Sequence, residues 1–295
     1  MFYCGIDIAK YKHETTVIDE AGAALLDSIS FANSKEGCEK LLALFQRLDI
    51  SQEDLLIGME ATGHYWLSVY GYLLEQGFEV KVINPIQSEA FRKMYIRQTK
   101  NDRKDSFIIA QIMRFGQFSA TNLAEEAIVA LRQLSRYRLA LVDACGDCKR
   151  RIIALLDQVF PEYDALFSDT FGVTSKEVLS RYPTPEDLLS VSTKKLSNLL
   201  EKASHGRFGR EKAEQLKAAA ASSFGVCFAK DAFAFQIRQL IEQLEFLEGQ
   251  IVELEEQISS LLKQTGSYIT TIPGIGDTLG AIILGEIGDI HRFDA

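Results

Sequence analysis

Between Met1 and Ile83 the sequence sets five short apolar runs among turns and two amphipathic stretches, and that order leaves few ways to fold. The first run, Met1–Lys10, reads as a strand buried on both faces, yet it carries Asp7 near its end. An ionised carboxylate in such a strand is costly unless a cation or hydrogen-bond donors compensate it. Glu14–Asp19 and Ala23–Ala32 read as two more strands. The turns at Lys10-Tyr11-Lys12-His13 and Gly22 predict an antiparallel meander. Ser34 is placed to cap a helix whose Leu41, Leu42, Phe45 and Leu48 share a face. Leu55–Glu60 is a fourth strand ending on a second acid. A helix through Trp66, Val69, Tyr70, Leu73 and Leu74 stops near Gly77, and Glu79–Ile83 is a fifth strand closed by Asn84-Pro85.

Three antiparallel strands followed by alternating helix and strand is the order of a ribonuclease H-like domain, an α/β fold with a mixed five-stranded sheet and flanking helices. There the first and fourth strands lie side by side and parallel, so Asp7 and Glu60 are expected to meet at their carboxyl ends. A switch in strand order leaves a ligand crevice at that edge. The next helix supplies Asp102 and Asp105, and their i, i+3 spacing puts both on one face, about 5–6 Å apart at Cβ. Taken alone, that pair is better explained as an exposed helix of mixed charge. With Asp7 and Glu60 added, a metal site explains it better. Oxygen-only ligation suits Mg²⁺ or Mn²⁺ rather than zinc. Two such ions roughly 3.5–4 Å apart can serve an in-line phosphoryl displacement.

The 295 residues allow more than one domain, and 47% hydrophobic with 25% charged residues is ordinary for a globular protein. No run approaches the roughly 20 apolar residues of a membrane span, and the start lacks a signal peptide, so a cytoplasmic location is expected. Five cysteines fit that compartment as thiols. Cys145 and Cys148 form a lone C-x-x-C without a second ligand pair and fall on an apolar helix stripe, which places them in a core. The formal charge of −9 hides segregation. Arg92, Lys93, Arg97, Lys100, Arg103, Lys104 and Arg114 form one basic cluster, and Arg132, Arg136, Arg138, Lys149, Arg150 and Arg151 a second. A basic surface beside carboxylates suits phosphate-backbone chemistry, although solvated helix faces explain either cluster alone about as well.

Gly-Ile-Asp-Ile-Ala-Lys, Gly-Met-Glu-Ala-Thr-Gly-His-Tyr-Trp and Lys-Asn-Asp-Arg-Lys-Asp-Ser together resemble the DEDD transposases of bacterial insertion sequences. This is the insertion-sequence-110 family, related to the Piv invertases, whose N-terminal domain is similar to the RuvC resolvase. The resemblance implies that Asp7, Glu60, Asp102 and Asp105 occupy four metal-binding catalytic positions and hold two Mg²⁺ or Mn²⁺ ions. It also implies a bacterial site-specific recombinase that binds element ends and target DNA, guided by a structured noncoding bridge RNA.

The chain is expected to divide into 1–120, 121–230, 231–265 and 266–295. Glu125–Phe160 is a long helix carrying the second basic cluster. Pro161–Phe228 is mostly helical, with a glycine-bearing basic loop, Ser-His-Gly-Arg-Phe-Gly-Arg, in which Arg207 and Arg210 are candidate phosphate contacts and His205 lies at the surface. Ile237, Leu244, Ile251 and Ile258 alternate with Leu240, Leu247, Leu254 and Leu261 over four heptads, which favours a parallel self-associating coiled coil. The rival partner is a seam of the same chain, Leu141, Cys145, Cys148, Ile152, Leu155 and Val159. Two short helices around Pro-Gly-Ile-Gly are similar to a helix-hairpin-helix, with Gly274 and Gly276 gripping DNA phosphate. In the resembled family this segment opens a C-terminal transposase domain that carries an attacking serine. No serine here matches that motif before His291-Arg-Phe-Asp-Ala295, so an incomplete chain impaired in full strand exchange is expected. The alternatives are a RuvC-like nuclease that uses water and a non-catalytic nucleic-acid scaffold. An actin-like ATPase is disfavoured because Ile-Ala-Lys-Tyr-Lys-His offers no glycine-rich phosphate turn.

Overall fold

A computed structural model describes residues 1–61, 63–95, 102–116, 118 and 126–288, with backbone alone at 92, 94, 95 and 102–104. Two units divide the chain, Met1–Leu123 and Ala124–Ala295.

The first unit is built on β1 (Phe2–Asp7), β2 (Lys12–Ile18), β3 (Ala24–Ala32), β4 (Leu55–Glu60) and β5 (Glu79–Ile83). They form one sheet in the order β3-β2-β1-β4-β5. The first three strands run antiparallel, and β1, β4 and β5 run parallel. This is the ribonuclease H-like order that the sequence predicts. α1 (Lys35–Arg47) starts at Ser34, whose hydroxyl accepts the Gly37 N–H at 3.2 Å. α2 (Trp66–Glu75) follows β4, α3 (Pro85–Tyr95) follows β5, and α4 (Asp102–Phe115) comes next.

Alternation along β1 and β4 decides which helix meets which face. Cys4, Ile6, Leu55, Ile57 and Met59 pack with Leu41, Phe45, Val69 and Leu73 of α1 and α2. On the other face Tyr3 and Leu56 pack with Ile108, Ile109, Ile112 and Met113 of α4.

The second unit is helical: α5 (Glu126–Val159), α6 (Val173–Arg181), α7 (Pro185–Ser190), α8 (Thr193–Ala203), α9 (Arg210–Ala221), α10 (Lys230–Gln264) and α11 (Asp277–Ile287), with 3₁₀ turns at Pro161–Leu166 and Ile269–Thr271. Cys145 and Cys148 lie in its core, as expected of an apolar stripe. The heptad seam of α10 packs against α5 of the same chain. Ile237, Ile241 and Leu244 are buried with Cys145, Cys148, Ile152 and Leu156, while Leu254, Ile258 and Leu262 join Leu131 and Leu141. This corrects the reading of that seam as a contact between two copies. Ile241 and Leu262 sit at e positions, widening the apolar stripe beyond the a/d strip of a two-stranded coil to the breadth a core-packing helix needs. The e-position glutamates are also taken within the chain. Glu248 pairs with Lys176 and, at 3.7 Å, with Lys149, and Glu255 pairs with Arg138 at 2.6 Å.

Candidate metal-binding carboxylate site

Register places the two strand-borne acids. Gly5 pairs with Gly58 and Ile6 with Met59, and each strand ends one residue later, at Asp7 and Glu60. A Cβ on Gly5 would lie 1.9 Å from the Ser106 carbonyl oxygen and 2.4 Å from the Ala110 nitrogen. One on Gly58 would lie 2.5 Å from Met113 Cγ. Both glycines therefore underlie α4, and the acids two residues on, Asp7 and Glu60, share that face. The two motifs, Gly-Ile-Asp and Gly-Met-Glu, repeat one device: a residue with no side chain where the helix must touch the sheet, then an acid just past the contact.

The direction of α4 sets where its own acids go. Near its C-terminus Arg114 Nη1 donates to the Glu20 carbonyl at 3.3 Å, in the turn that also pairs with the Met1 ammonium at 2.9 Å. Further back, Ser106 Oγ meets Thr16 Oγ1 at 2.8 Å, opposite Gly5 in the ladder. The helix thus runs antiparallel to β1. One helical turn back from Ser106, about 5.4 Å, reaches Asp102. Two strand residues on from Gly5, about 6.6 Å, reach Asp7. Asp105, half-buried, lies in that same first turn. The side chains of Asp102, Arg103 and Lys104, like Lys100, lie outside the described residues. Among those described, no three His, Cys, Asp or Glu side chains gather closely enough to hold one ion.

A residue that the motif reading passed over orients Glu60. Ser88, buried in the first turns of α3, has its hydroxyl 2.6 Å from Glu60 Oε2 and 2.9 Å from the Pro85 carbonyl. Its sequence signal is its place three residues after the Pro that opens the helix, on the turn facing the β4 end. Two other polar groups of the sheet belong to the opposite face. Burial pushes the Cys4 thiol up to about 12, which removes it as a nucleophile. His13, its ring tilted against that of Phe31 with centroids 5.1 Å apart, is held below its usual range by burial, against a raising contribution from Asn33.

The basic candidates separate into paired and open groups. Arg136 holds Glu286 through two bonds of 2.7 and 2.8 Å. Arg132 donates to the Gly285 carbonyl, and Arg138, Lys149 and Arg150 each meet an acid. Most of the second cluster thus ties α5 to neighbouring helices or to itself. Arg151 and Arg207 meet no carboxylate among the described residues, whereas Arg210 pairs with Glu214 at 2.7 Å. Gly274, with φ of 89°, and Gly276 are exposed, and Gly276 opens α11 without a side-chain cap. The element before them is a three-residue 3₁₀ turn, so the expected pair of short helices is one helix and a turn. Residues 291–295 lie outside the described residues. No helix among those described is long and apolar enough to cross a membrane.

The ribonuclease H-like strand order, with acids at the carboxyl ends of the first and fourth strands and α4 crossing the same face, defines the fold class. The particular family follows from comparison with known proteins. The model of the DEDD transposase family of IS110 matches residues 4–161, more than half the chain, and that of the IS116/IS110/IS902 transposase family matches residues 266–295. The chain belongs to the IS110 transposase family, and its role is that of a transposase or recombinase enzyme. A Streptomyces coelicolor mini-circle protein named as a transposase for IS117 is 25% identical over 97% of this chain and 71% of its own length. A Streptomyces clavuligerus protein of insertion element IS116 is 22% identical over 99% of this chain and 72% of its own length. The pilin gene-inverting protein of Moraxella lacunata is 28% identical over 37% of this chain and 33% of its own length. Among solved structures, T. thermophilus RuvC in complex with a Holliday junction substrate is similar over 41% of this chain and 99% of its own, at 15% identity and a TM-score of 0.29.

Proposed function

We propose that the chain uses Asp7, Glu60, Asp102 and Asp105 to hold two divalent cations, Mg²⁺ or Mn²⁺, and acts on the phosphodiester backbone of insertion-sequence ends and target DNA. The observation that carries this reading is the delivery of Asp7, Glu60 and the first turn of α4 to one end of the sheet, by two glycines in register beneath that helix. The donor set is all oxygen and anionic, which fits a hard cation. When bound, such ions stabilise the attacking and leaving oxygens of a phosphoryl displacement.

The chain's own residues supply the rest. Ser88 fixes the rotamer of Glu60 through its hydroxyl. The Thr16–Ser106 bond and the Gly5 contact hold the start of α4 against the sheet, and with it Asp105. Lys100, Arg103 and Lys104, around the same turn in sequence, are the cations for an adjoining phosphate backbone. Membership of the family is what supports a bridge RNA as the guide to both DNAs. Self-association would use a surface other than the α10 seam, which α5 occupies. The test is Mg²⁺-dependent nicking or strand transfer on supercoiled element DNA with the guide RNA present. Loss of it in Asp7→Asn and Glu60→Gln supports the reading. Activity undiminished in both would overturn it.

A further inference from the structure

The segment between α5 and α10 folds around a cavity of about 240 Å³ where the loop Ser204–Phe208 meets the start of α6. α6 opens on Gly172 with no side-chain cap, and the bond from Lys176 N–H to the Gly172 carbonyl is the first of the helix. The N–H groups of Val173, Thr174 and Ser175 therefore lack a capping partner and concentrate positive potential there.

A second, independent observation comes from Thr174, which lines the cavity. Its residue is only 7% exposed, and its hydroxyl makes no hydrogen bond to any described residue. In the first turn of a helix the carbonyls three and four residues back, here those of Phe171 and Thr170, precede the helix, so the Thr174 hydroxyl is not drawn into the back-bond that Thr265 makes onto Leu262 at the end of α10. Unlike the enclosed Ser135 hydroxyl, which also lacks a partner, the Thr174 hydroxyl is open to the cavity and can meet a group bound there.

The loop side supplies charge. His205 and Gly206 take left-handed backbone, with φ of 52° and 84°, and Ser204 Oγ accepts the Phe208 N–H at 2.7 Å. The loop so fixed presents Arg207 on the cavity wall, exposed, its guanidinium 5.6 Å from the Phe208 ring centroid. One acid, Asp169, also lines the cavity, with its Oδ1 accepting the Phe171 N–H at 2.9 Å. A single carboxylate at the rim disfavours a doubly charged anion more than a singly charged one.

We propose that this cavity is a phosphodiester-binding site: the amides of the first turn of α6, the Thr174 hydroxyl and Arg207 together hold one backbone phosphate of a nucleic acid. This rests on the reading of the chain as a nucleic-acid enzyme and assigns one contact of that partner to the second unit.

The test uses the full chain and two probes: dimethyl phosphate, followed by ³¹P line broadening, and a short fluorescent single-stranded DNA or RNA, followed by anisotropy over a range of salt. Thr174→Val keeps the side-chain shape and Arg207 is exposed, so both variants are expected to fold. Arg181→Ala, at the far end of α6 and paired with Glu177, serves as the charge control. Thr174→Val should weaken oligonucleotide binding roughly tenfold. Arg207→Ala should lower the slope of log K against log salt by about one. Asp169→Asn should tighten binding, and Arg181→Ala should leave it unchanged. Parent-like binding in both Thr174→Val and Arg207→Ala, an equal loss in Arg181→Ala, or a parent that binds neither probe would overturn the site. If dimethyl phosphate is bound in a Thr174-dependent way while neither oligonucleotide binds, the pocket stands and the nucleic-acid reading falls.

Discussion

Replacing Gly5 with alanine adds one methyl group where there is no room for it. Its carbon would fall 1.9 Å from the Ser106 carbonyl oxygen, 2.4 Å from the Ala110 nitrogen and 3.1 Å from the Ile109 carbonyl carbon. All three atoms are backbone, so no side chain can swing away. Restoring ordinary contact requires α4 to lift by about 1.5 Å, since carbon contacts settle near 3.5 Å. That lift pulls at the Ser106–Thr16 bond and at the packing of Ile108, Ile109 and Met113. Overpacking of this kind costs about 1–3 kcal/mol. The gain from a less flexible unfolded chain, about 0.4–1 kcal/mol, is smaller, so the sign is destabilising. Asp105 precedes Ser106 and moves with it, and a misplacement of about 1 Å can lower a rate about 10²-fold. Chemical denaturation gives the stability change, and metal-dependent nicking gives the rate. Gly71→Ala is the control: it lies in α2 with open space around a Cβ and should stabilise by up to about 1 kcal/mol. A Gly5→Ala chain as stable and as active as the parent would refute the argument that this glycine seats α4.

Ser88→Ala removes the hydroxyl that reaches Glu60 Oε2, and a lost supporting bond of this kind should weaken Mn²⁺ affinity about 10–100-fold, read by calorimetry. Leu244→Ala, fully buried between α10 and α5, should cost about 2–5 kcal/mol. Its unfolding midpoint, like the parent's, should not depend on protein concentration, whereas a shift with concentration would return the seam to a contact between copies. The Arg136–Glu286 pair is about half exposed on each side, so Arg136→Ala should cost no more than about 1 kcal/mol. The hydrogen bond from Arg136 holds the Glu286 carboxyl below its ordinary value of 4.5. Because the folded value is the lower one, this contribution is present above pH 4.5 and is lost as pH falls through the folded value. Arg136→Ala should flatten that part of a thermal pH profile, and an unchanged profile would rule the pair out.

Much of the first unit was legible from local chemistry. Leu55–Glu60 and Glu79–Ile83 carry apolar runs bounded by turn residues, and both strands have those limits. Ser34 caps where its spacing from the apolar face demands. What the residues could not show was the use of Gly5 and Gly58. A glycine in a strand signals a close approach, but the approaching helix lies about a hundred residues away for Gly5. The α10 seam misled for a related reason. Four heptads satisfy both a second copy and an internal partner, and the arbiter, apolar Ile241 and Leu262 at e positions, gains meaning only once α5 is beside them. The second basic cluster read as free charge because its acids, Glu248, Glu255 and Glu286, are distant in sequence.

The carboxylates at one end of the sheet are proposed to hold divalent cations. Calorimetric titration of Mg²⁺ or Mn²⁺ into the full chain tests it most directly, with Asp7→Asn run alongside. Binding of two ions by the parent, lost or cut to a weak remnant in Asp7→Asn, is the predicted result. A parent that binds no ion, or an Asp7→Asn chain that binds as the parent does, would contradict it.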